Sequence, residues 1–149
     1  MSTIKQISVF LENRTGSLEE FTRLLGEGGI DLIALSIADT TDFGILRAIV
    51  SDNEKTLELV KANGYTAKLS DVLAVVVPDS PGGLATALKT VNEAGVSIEY
   101  LYSFVRRVNH QAVIIFRVDK PEQAEKVLTA AGIGLLGPDE VKAVAAAPC

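Results

Sequence analysis

The sequence has 149 residues, of which 48% are hydrophobic and 22% charged, a balance typical of a globular protein large enough to bury a core without disulfides. Its formal net charge of -5 disfavours general nucleic-acid binding, because phosphate contacts need clustered Lys and Arg. One Cys and one His exclude an intrachain disulfide and a zinc site built from Cys and His. No signal pattern or membrane-length apolar run occurs, so we expect a cytoplasmic protein that does not enter a membrane and carries no metal or cofactor.

The first half of the chain predicts six elements in the order strand, helix, strand, strand, helix, strand. Short aliphatic runs indicate the strands, and apolar residues at helical spacing, such as Leu18, Phe21 and Leu25, indicate the helices. In chain order these are a strand at 7–11, a helix stopped by Gly28-Gly29, strands at 32–38 and 45–50 around a turn at Asp42-Phe43-Gly44, a helix ended by Asn63-Gly64, and a strand at 66–69.

The second half repeats the first. Residues 7–18 align with 73–84, which pairs Gly16 with Gly82, and the offset of the later elements grows by two residues. The corresponding elements are a strand at 72–77, a helix stopped by Gly95, strands at 98–105 and 112–118 around a turn at Asn109-His110, a helix ended by Ala131-Gly132, and a strand at 140–144. Each half therefore predicts one βαββαβ unit.

These units place the protein in the α+β class as two ferredoxin-like domains, 1–70 and 71–149. Each antiparallel sheet is expected to carry two helices on one face. Ser70-Asp71 leaves almost no linker, which favours two docked domains. Capping-box spacing is found at three predicted helix starts: Ser17-x-x-Glu20, Ser51-x-x-Glu54 and Asp119-x-x-Glu122.

The two strand-to-helix corners, 12–18 and 79–84, are the places where the pattern suggests a ligand. A helix start presents unpaired N–H groups and a positive dipole end, which suit a carboxylate. A glycine there lets a small ligand approach the backbone. Asn13 and Asp79 could each accept a hydrogen bond from an ammonium group. Together these groups would suit a zwitterionic amino acid, although the same residue types are also ordinary helix caps.

Catalytic patterns are missing from the sequence. It contains neither a phosphate-binding glycine loop nor a Gly-x-Ser-x-Gly elbow, and its carboxylates are spread along helix faces. We expect His110 to be an exposed turn residue and Cys149 to be an inert terminal thiol. The chain is therefore not expected to be an enzyme.

RNA-recognition domains share the βαββαβ order but stack bases on paired aromatic residues of the sheet. The third strands here, 45–50 and 112–116, offer at most one aromatic residue each, and the chain is acidic. An acylphosphatase-like phosphate loop is also missing. Tyr100, Tyr102 and Phe104 alternate along one strand, and we interpret them as core or interface residues in preference to ligand contacts.

At its corners the sequence resembles the ACT domain, a small amino-acid-sensing module of enzymes of amino-acid metabolism. An aliphatic strand is followed by Asn-Arg-Thr-Gly-Ser-Leu or Asp-Ser-Pro-Gly-Gly-Leu, then a helix, then Gly-Ile-Asp-Leu or Gly-Val-Ser-Ile. The first repeat is most similar to the opening of the acetolactate synthase small subunit, and residues 4–144 as a whole look like stand-alone tandem ACT proteins.

This resemblance implies domains packed side by side, with amino acids bound at the interface. The binding corners would consist of Asn13, Arg14, Thr15, Gly16, Ser17 and Leu18, and of Asp79, Ser80, Pro81, Gly82, Gly83 and Leu84. The opposite wall would come from the second strand of the facing domain: Ile37, Ala38 and Asp39, or Leu101, Tyr102 and Ser103. Because Asn13-Arg14-Thr15 departs from the common Asp-x-Pro pattern, we expect the two sites to differ in affinity.

The function expected from this resemblance is that of a non-catalytic regulatory protein that senses a free amino acid. We also expect a homodimer, since exposed sheet edges can pair. The alternative is a regulatory subunit of an amino-acid biosynthetic enzyme, of the acetolactate synthase small-subunit type, with that enzyme as its partner.

Overall fold

The computed structural model describes residues 3–39 and 43–146. The chain divides into two compact units: the first unit is Lys5–Ser70, and the second unit contains the residues from Asp71 onward together with the first residues of the opening strand. Within the described residues, none of the helices has the length and apolar character needed to cross a bilayer.

Seven strands and five helices are found in the described residues. In chain order they are β1 (Thr3–Glu12), α1 (Ser17–Glu27), β2 (Leu32–Asp39), β3 (Phe43–Val50), α2 (Asn53–Ala62), β4 (Ala67–Pro78), α3 (Gly83–Glu93), β5 (Ile98–Ser103), β6 (Gln111–Val118), α4 (Pro121–Ala130), β7 (Gly134–Leu136) and α5 (Pro138–Ala146).

The first unit is an antiparallel sheet with two helices on one face. Strand β3 lies between β1 and β2, and the Phe10 N–H donates to the Thr66 carbonyl at 3.1 Å just before β4. Alternate residues of β1 and β3 share one core with residues of α1 and α2, because successive side chains of a strand point to opposite faces. That core contains Ile7, Val9, Leu11, Phe21, Leu25, Ile30, Leu46, Ala48, Val50 and Val60.

The second unit has the same topology. Strand β4 pairs with β6 on one side and β7 on the other, and β5 pairs with β6. Its core is built from one face of the strands and from α3 and α4: Leu73, Val75, Val77, Ala87, Val91, Val96, Ile114, Phe116, Val118, Ala124 and Leu128. The prediction of two ferredoxin-like βαββαβ domains in the α+β class is confirmed.

The prediction was wrong in two places: one break between strands is missing, and one predicted strand is a helix. The strands expected at 66–69 and 72–77 form one continuous strand, β4, because Ser70 and Asp71 offer no glycine or proline to interrupt it. The strand expected at 140–144 is part of α5, and the true last strand is Gly134–Leu136. Pro138 suits a helix start, and Glu140 Oε1 accepts a hydrogen bond from the Gly137 N–H at 3.1 Å, so this segment is fixed as a helix.

The predicted capping boxes are wrong at all three helix starts. Ser17 is the first residue of α1, and the residue that caps α2 is Asp52, whose Oδ1 accepts from the Lys55 N–H at 3.0 Å. Lys120 occupies the N-cap position of α4, without a side-chain cap. Spacing alone therefore placed these caps one residue too early at α2 and α4 and one too late at α1.

Ser51 and Asp119 have a different role, which both repeats share. Ser51 Oγ accepts from the Asp31 N–H at 2.9 Å, and Asp119 Oδ1 accepts from the Ser97 N–H at 2.8 Å. Each bond joins the end of the third strand of a unit to the residue just before its second strand. The two repeats therefore share a side-chain hydrogen bond as well as their fold. The capping-box interpretation assigned these two side chains to a different role.

Candidate functional site

The first corner joins β1 to α1 through a left-handed glycine. Gly16 has φ 87° at the N-cap position, and its carbonyl accepts from the Glu20 N–H at 2.9 Å. This backbone conformation strongly favours glycine, since a Cβ disfavours positive φ. Gly16 has no side chain with which to cap the first turn, and the Ser17 N–H donates to the Arg14 carbonyl at 3.2 Å.

The second corner joins β4 to α3 with the same backbone. Gly82 has φ 86°, and its carbonyl accepts from the Thr86 N–H at 3.1 Å. The next residue, Gly83, corresponds to Ser17, but here a Cβ would overlap the carbonyl oxygen of Pro78. The predicted equivalence of the two glycine corners is thus found in the backbone, and the second corner is the more tightly packed.

A charged cluster covers the first corner. Arg14 Nη2 lies 2.9 Å from Glu20 Oε2, and Arg14 Nε lies 3.2 Å from Glu12 Oε2. The hydrogen bond from Arg14 lowers the pKa of the Glu20 carboxyl, with its positive charge as the second cause. Glu20 therefore holds Arg14 instead of forming the predicted capping box with Ser17.

An ion pair covers the second corner. Arg107 Nη2 lies 2.8 Å from Asp79 Oδ2, and both side chains are partly exposed. Arg107 comes from the β5–β6 connection, where Val108 and Gln111 pair around Asn109 and His110 at φ 51° and 63°. Sequence reasoning missed this residue. The sequence shows the basic pair Arg106-Arg107, but the contact of Arg107 with Asp79 depends on how the β5–β6 connection is placed against the end of β4.

A cleft of about 460 Å³ opens beside the first corner, entirely within the first unit. It is lined by Phe10, Glu12, Arg14, Ser17, Glu20, Phe43, Asn63, Gly64, Tyr65 and Thr66. Arg14 and Ser17 belong to the predicted site, whereas the other eight residues do not. They come from the ends of β1 and β3, from the first turn of α1 and from the connection between α2 and β4, which the sequence alone does not bring together. We call this space the aromatic cleft.

A match to a family of known proteins covers nearly the whole chain. The family model described as the ACT domain pair matches residues 2–144. The chain belongs to this family.

Solved structures share the fold of this chain. Protein BT0572 from Bacteroides thetaiotaomicron is 38% identical, with 95% of this chain and 96% of that chain covered and a TM-score of 0.88. The ligand-free regulatory subunit of aspartate kinase from Thermus thermophilus is 18% identical, with coverage of 85% and 91% and a TM-score of 0.61. Aspartate kinase from Synechocystis is 21% identical, and the match covers 92% of this ACT pair but 28% of that chain, at a TM-score of 0.55. No curated protein matches the chain.

In each unit of the ACT pair, the end of the second strand lies at the same end of the sheet as the corner. Gly44 pairs with both Leu11 and Asp39, and Ile114 pairs with both Val75 and Ser103. The predicted wall residues Ile37, Ala38 and Asp39 therefore lie at the level of the last residues of β1. In the second unit Ser103 lies at the level of Val75, and Leu101 lies at the level of Leu73, farther from the corner.

The two predicted walls are not equivalent positions in the repeat. The strand register places Ser103, and not Leu101, where Ile37 lies in the first unit. Ile37 and Leu101 are exposed, whereas Tyr102 is buried on the opposite face of its sheet. Tyr100, Tyr102 and Phe104 do alternate as predicted, and the Tyr100 and Tyr102 rings stack with centroids 6.4 Å apart. His110 is exposed in its turn, and Cys149 lies outside the described residues.

Proposed function

We propose that this ACT pair is a non-catalytic regulatory protein that binds a free amino acid at its strand-to-helix corners. The observation that carries the proposal is the matched backbone of the two corners: left-handed glycines at φ 87° and 86° begin two helices, and neither glycine has a side chain that could cap the first turn. A single such corner would be an ordinary helix start. Two in register, within a family of regulatory domains, favour a ligand.

The chemistry of each corner suits a zwitterion. The α-carboxylate would accept from N–H groups of the first turn, where the helix dipole is positive. The ammonium would donate to the side chain of Asn13 in the first corner or of Asp79 in the second. The predicted corner residues 13–18 and 79–84 would thus form one wall, and the end of the second strand of a facing ACT domain would supply the other.

Binding of this kind regulates only if the ligand prefers one arrangement of the protein over another. In a homodimer, the open side of the edge strands β2 and β5 could pair with a second copy, which would couple the ligand to assembly. Light scattering with and without the amino acid that binds would test this coupling.

The direct test is a thermal-shift screen of the twenty amino acids followed by calorimetry. We expect a few amino acids to raise the melting temperature, because a ligand of the folded state stabilises it by mass action. Asp79→Ala and Asn13→Ala should each weaken binding by about 1–3 kcal/mol while preserving the fold. Glu54→Ala, in the exposed first turn of α2, is the control. If no amino acid binds at millimolar concentration, the corners are helix caps only.

The alternative proposal is a regulatory subunit of an amino-acid biosynthetic enzyme. This alternative rests on the resemblance that the sequence of the first repeat suggested to the acetolactate synthase small subunit, which the comparisons with known proteins do not show and which stays a prediction. Co-purification of the tagged chain with a large catalytic subunit from its own cell would favour this alternative. Recovery of the tagged chain free of any enzyme would favour the self-sufficient sensor.

A further inference from the structure

We infer that the aromatic cleft holds a large apolar group, supplied by the side chain of the amino acid bound at the first corner. This inference rests on the proposed function, since the cleft shares Arg14 and Ser17 with that corner. It assigns a ligand class to the first corner: amino acids with aromatic or branched aliphatic side chains. Amino acids with acidic side chains are excluded.

The cleft has a suitable size for a small molecule. Its volume of about 460 Å³ falls within the range of roughly 300–1,000 Å³ typical of small-molecule pockets. All ten lining residues lie in the first unit. The cleft therefore needs no residue of the second unit to line it.

The lining of the cleft is more polar than apolar, and two exposed phenylalanines add apolar surface that a ligand could cover. Phe10 is 44% exposed and Phe43 52% exposed, unusual values for phenylalanine. The register pairs Glu12 with Phe43 and Phe10 with Ile45, so the two rings project from the same face of adjacent strands. Tyr65 also lines the cleft and packs edge-on against Phe21 of the core, with ring centroids 5.2 Å apart.

The charges of the cleft set its selectivity. Glu12 and Glu20 both pair with Arg14, which leaves two carboxylates against one guanidinium. An acidic side chain would face this excess of negative charge. A basic side chain would find both carboxylates already paired with Arg14, so its ion pair would stabilise binding less than a pair with a free carboxylate would. An apolar side chain against the two phenylalanines avoids both difficulties.

The second unit gives an internal comparison, because it lacks the aromatic walls. By the repeat and the strand register, Val76 corresponds to Phe10, Gln111 to Phe43, and Ile133 to Tyr65. The backbone of the corner is therefore common to both units, whereas the aromatic cleft is a property of the first unit.

The experiment is calorimetry of phenylalanine, leucine, alanine and aspartate with the full chain and with variants that exchange residues between the units. We expect phenylalanine or leucine to bind at least about tenfold tighter than alanine, and aspartate to bind weakest. Phe10→Val and Phe43→Gln should each remove most of this preference while alanine binding is retained. Gln111→Ala, the exposed equivalent in the second unit, should leave the preference unchanged.

Indole, which has neither an α-carboxylate nor an α-ammonium, separates this inference from the proposed function. We expect it to shift the NMR signals of Phe10 and Phe43 in the unaltered chain and to bind less to Phe43→Gln. Indole binding without any amino-acid binding would overturn the proposed function and leave the apolar site. Amino-acid binding without a size preference, or with a preference that both variants retain, would overturn this inference alone. If neither ligand binds, both are wrong.

Discussion

The two strand-to-helix corners have the same backbone but different side chains around it. Gly16 and Gly82 differ by one degree in φ, and in both corners the residue after the glycine donates its N–H to the carbonyl three residues earlier. Around this backbone, Arg14 bridges two glutamates in one corner, and Arg107 binds Asp79 in the other. After duplication the glycine conformation has been kept, while charge, packing and the adjacent cleft have diverged.

The largest expected effect is a difference in stability between the corners when Gly83 and Ser17 are exchanged, because the second corner is more tightly packed. Gly83→Ser, which introduces the residue of the first corner, should destabilise the fold by about 3 kcal/mol, because its Cβ would overlap the Pro78 carbonyl. The reverse change, Ser17→Gly, should cost less than about 1 kcal/mol. Urea denaturation measures both. Equal costs would mean that the second corner is no tighter than the first.

A smaller effect should be the same in both corners. Gly16→Ala and Gly82→Ala should each cost about 1 kcal/mol of unfolding free energy, since each Cβ meets open space and only the left-handed φ is unfavourable. Gly26→Ala is the matched control, because it adds a methyl in open space within α1 and should stabilise by up to about 1 kcal/mol. Thermal unfolding measures all three. A clear difference between Gly16→Ala and Gly82→Ala would break the backbone equivalence.

This equivalence could be predicted from the sequence, because its signals are local. The aliphatic runs, the helical spacing and the paired glycines Gly16 and Gly82 lie within about twelve residues of one another in each half. Local signals also misled: the segment 140–144 was interpreted as a strand, although Pro138 and the Glu140 carboxylate begin a helix there.

The features that distinguish the corners depend on contacts distant in sequence. Asp79 meets Arg107 across the β4–β6 pairing, and Phe43 and Tyr65 approach Arg14 only after β3 and the α2–β4 connection have been placed. Register decides such contacts, and a one-residue shift would turn Phe43 to the other face of the sheet. The aromatic cleft could therefore not be predicted without the fold.

The ion pair of the second corner gives a prediction about binding. If an ammonium group must compete with Arg107 for Asp79, then Arg107→Ala should raise amino-acid affinity at this corner by about two- to fivefold, the amount expected from an exposed ion pair. Calorimetry with Asn13→Ala as the background, which should weaken binding at the first corner, reports mainly on the second corner. Arg106→Ala is the control, because Arg106 donates to the Val144 carbonyl instead. A fall in affinity would instead make Arg107 a direct ligand contact.

The smallest effect concerns the pH dependence of the first corner. Hydrogen bonding from Arg14 lowers the Glu20 pKa in the folded protein below its usual value of 4.5. A lowered folded-state pKa stabilises the fold above the unfolded pKa, and this contribution disappears as the pH falls through the folded pKa. As the pH falls below 4.5, the melting temperature should therefore fall slightly more in the unaltered chain than in Glu20→Gln, a small difference because the pair is exposed. Glu58→Gln, on the exposed face of α2, controls for the loss of one carboxylate. Parallel pH profiles for the unaltered chain and Glu20→Gln would show that the Arg14–Glu20 ion pair does not form in solution. A ligand would then not have to displace this ion pair at the first corner.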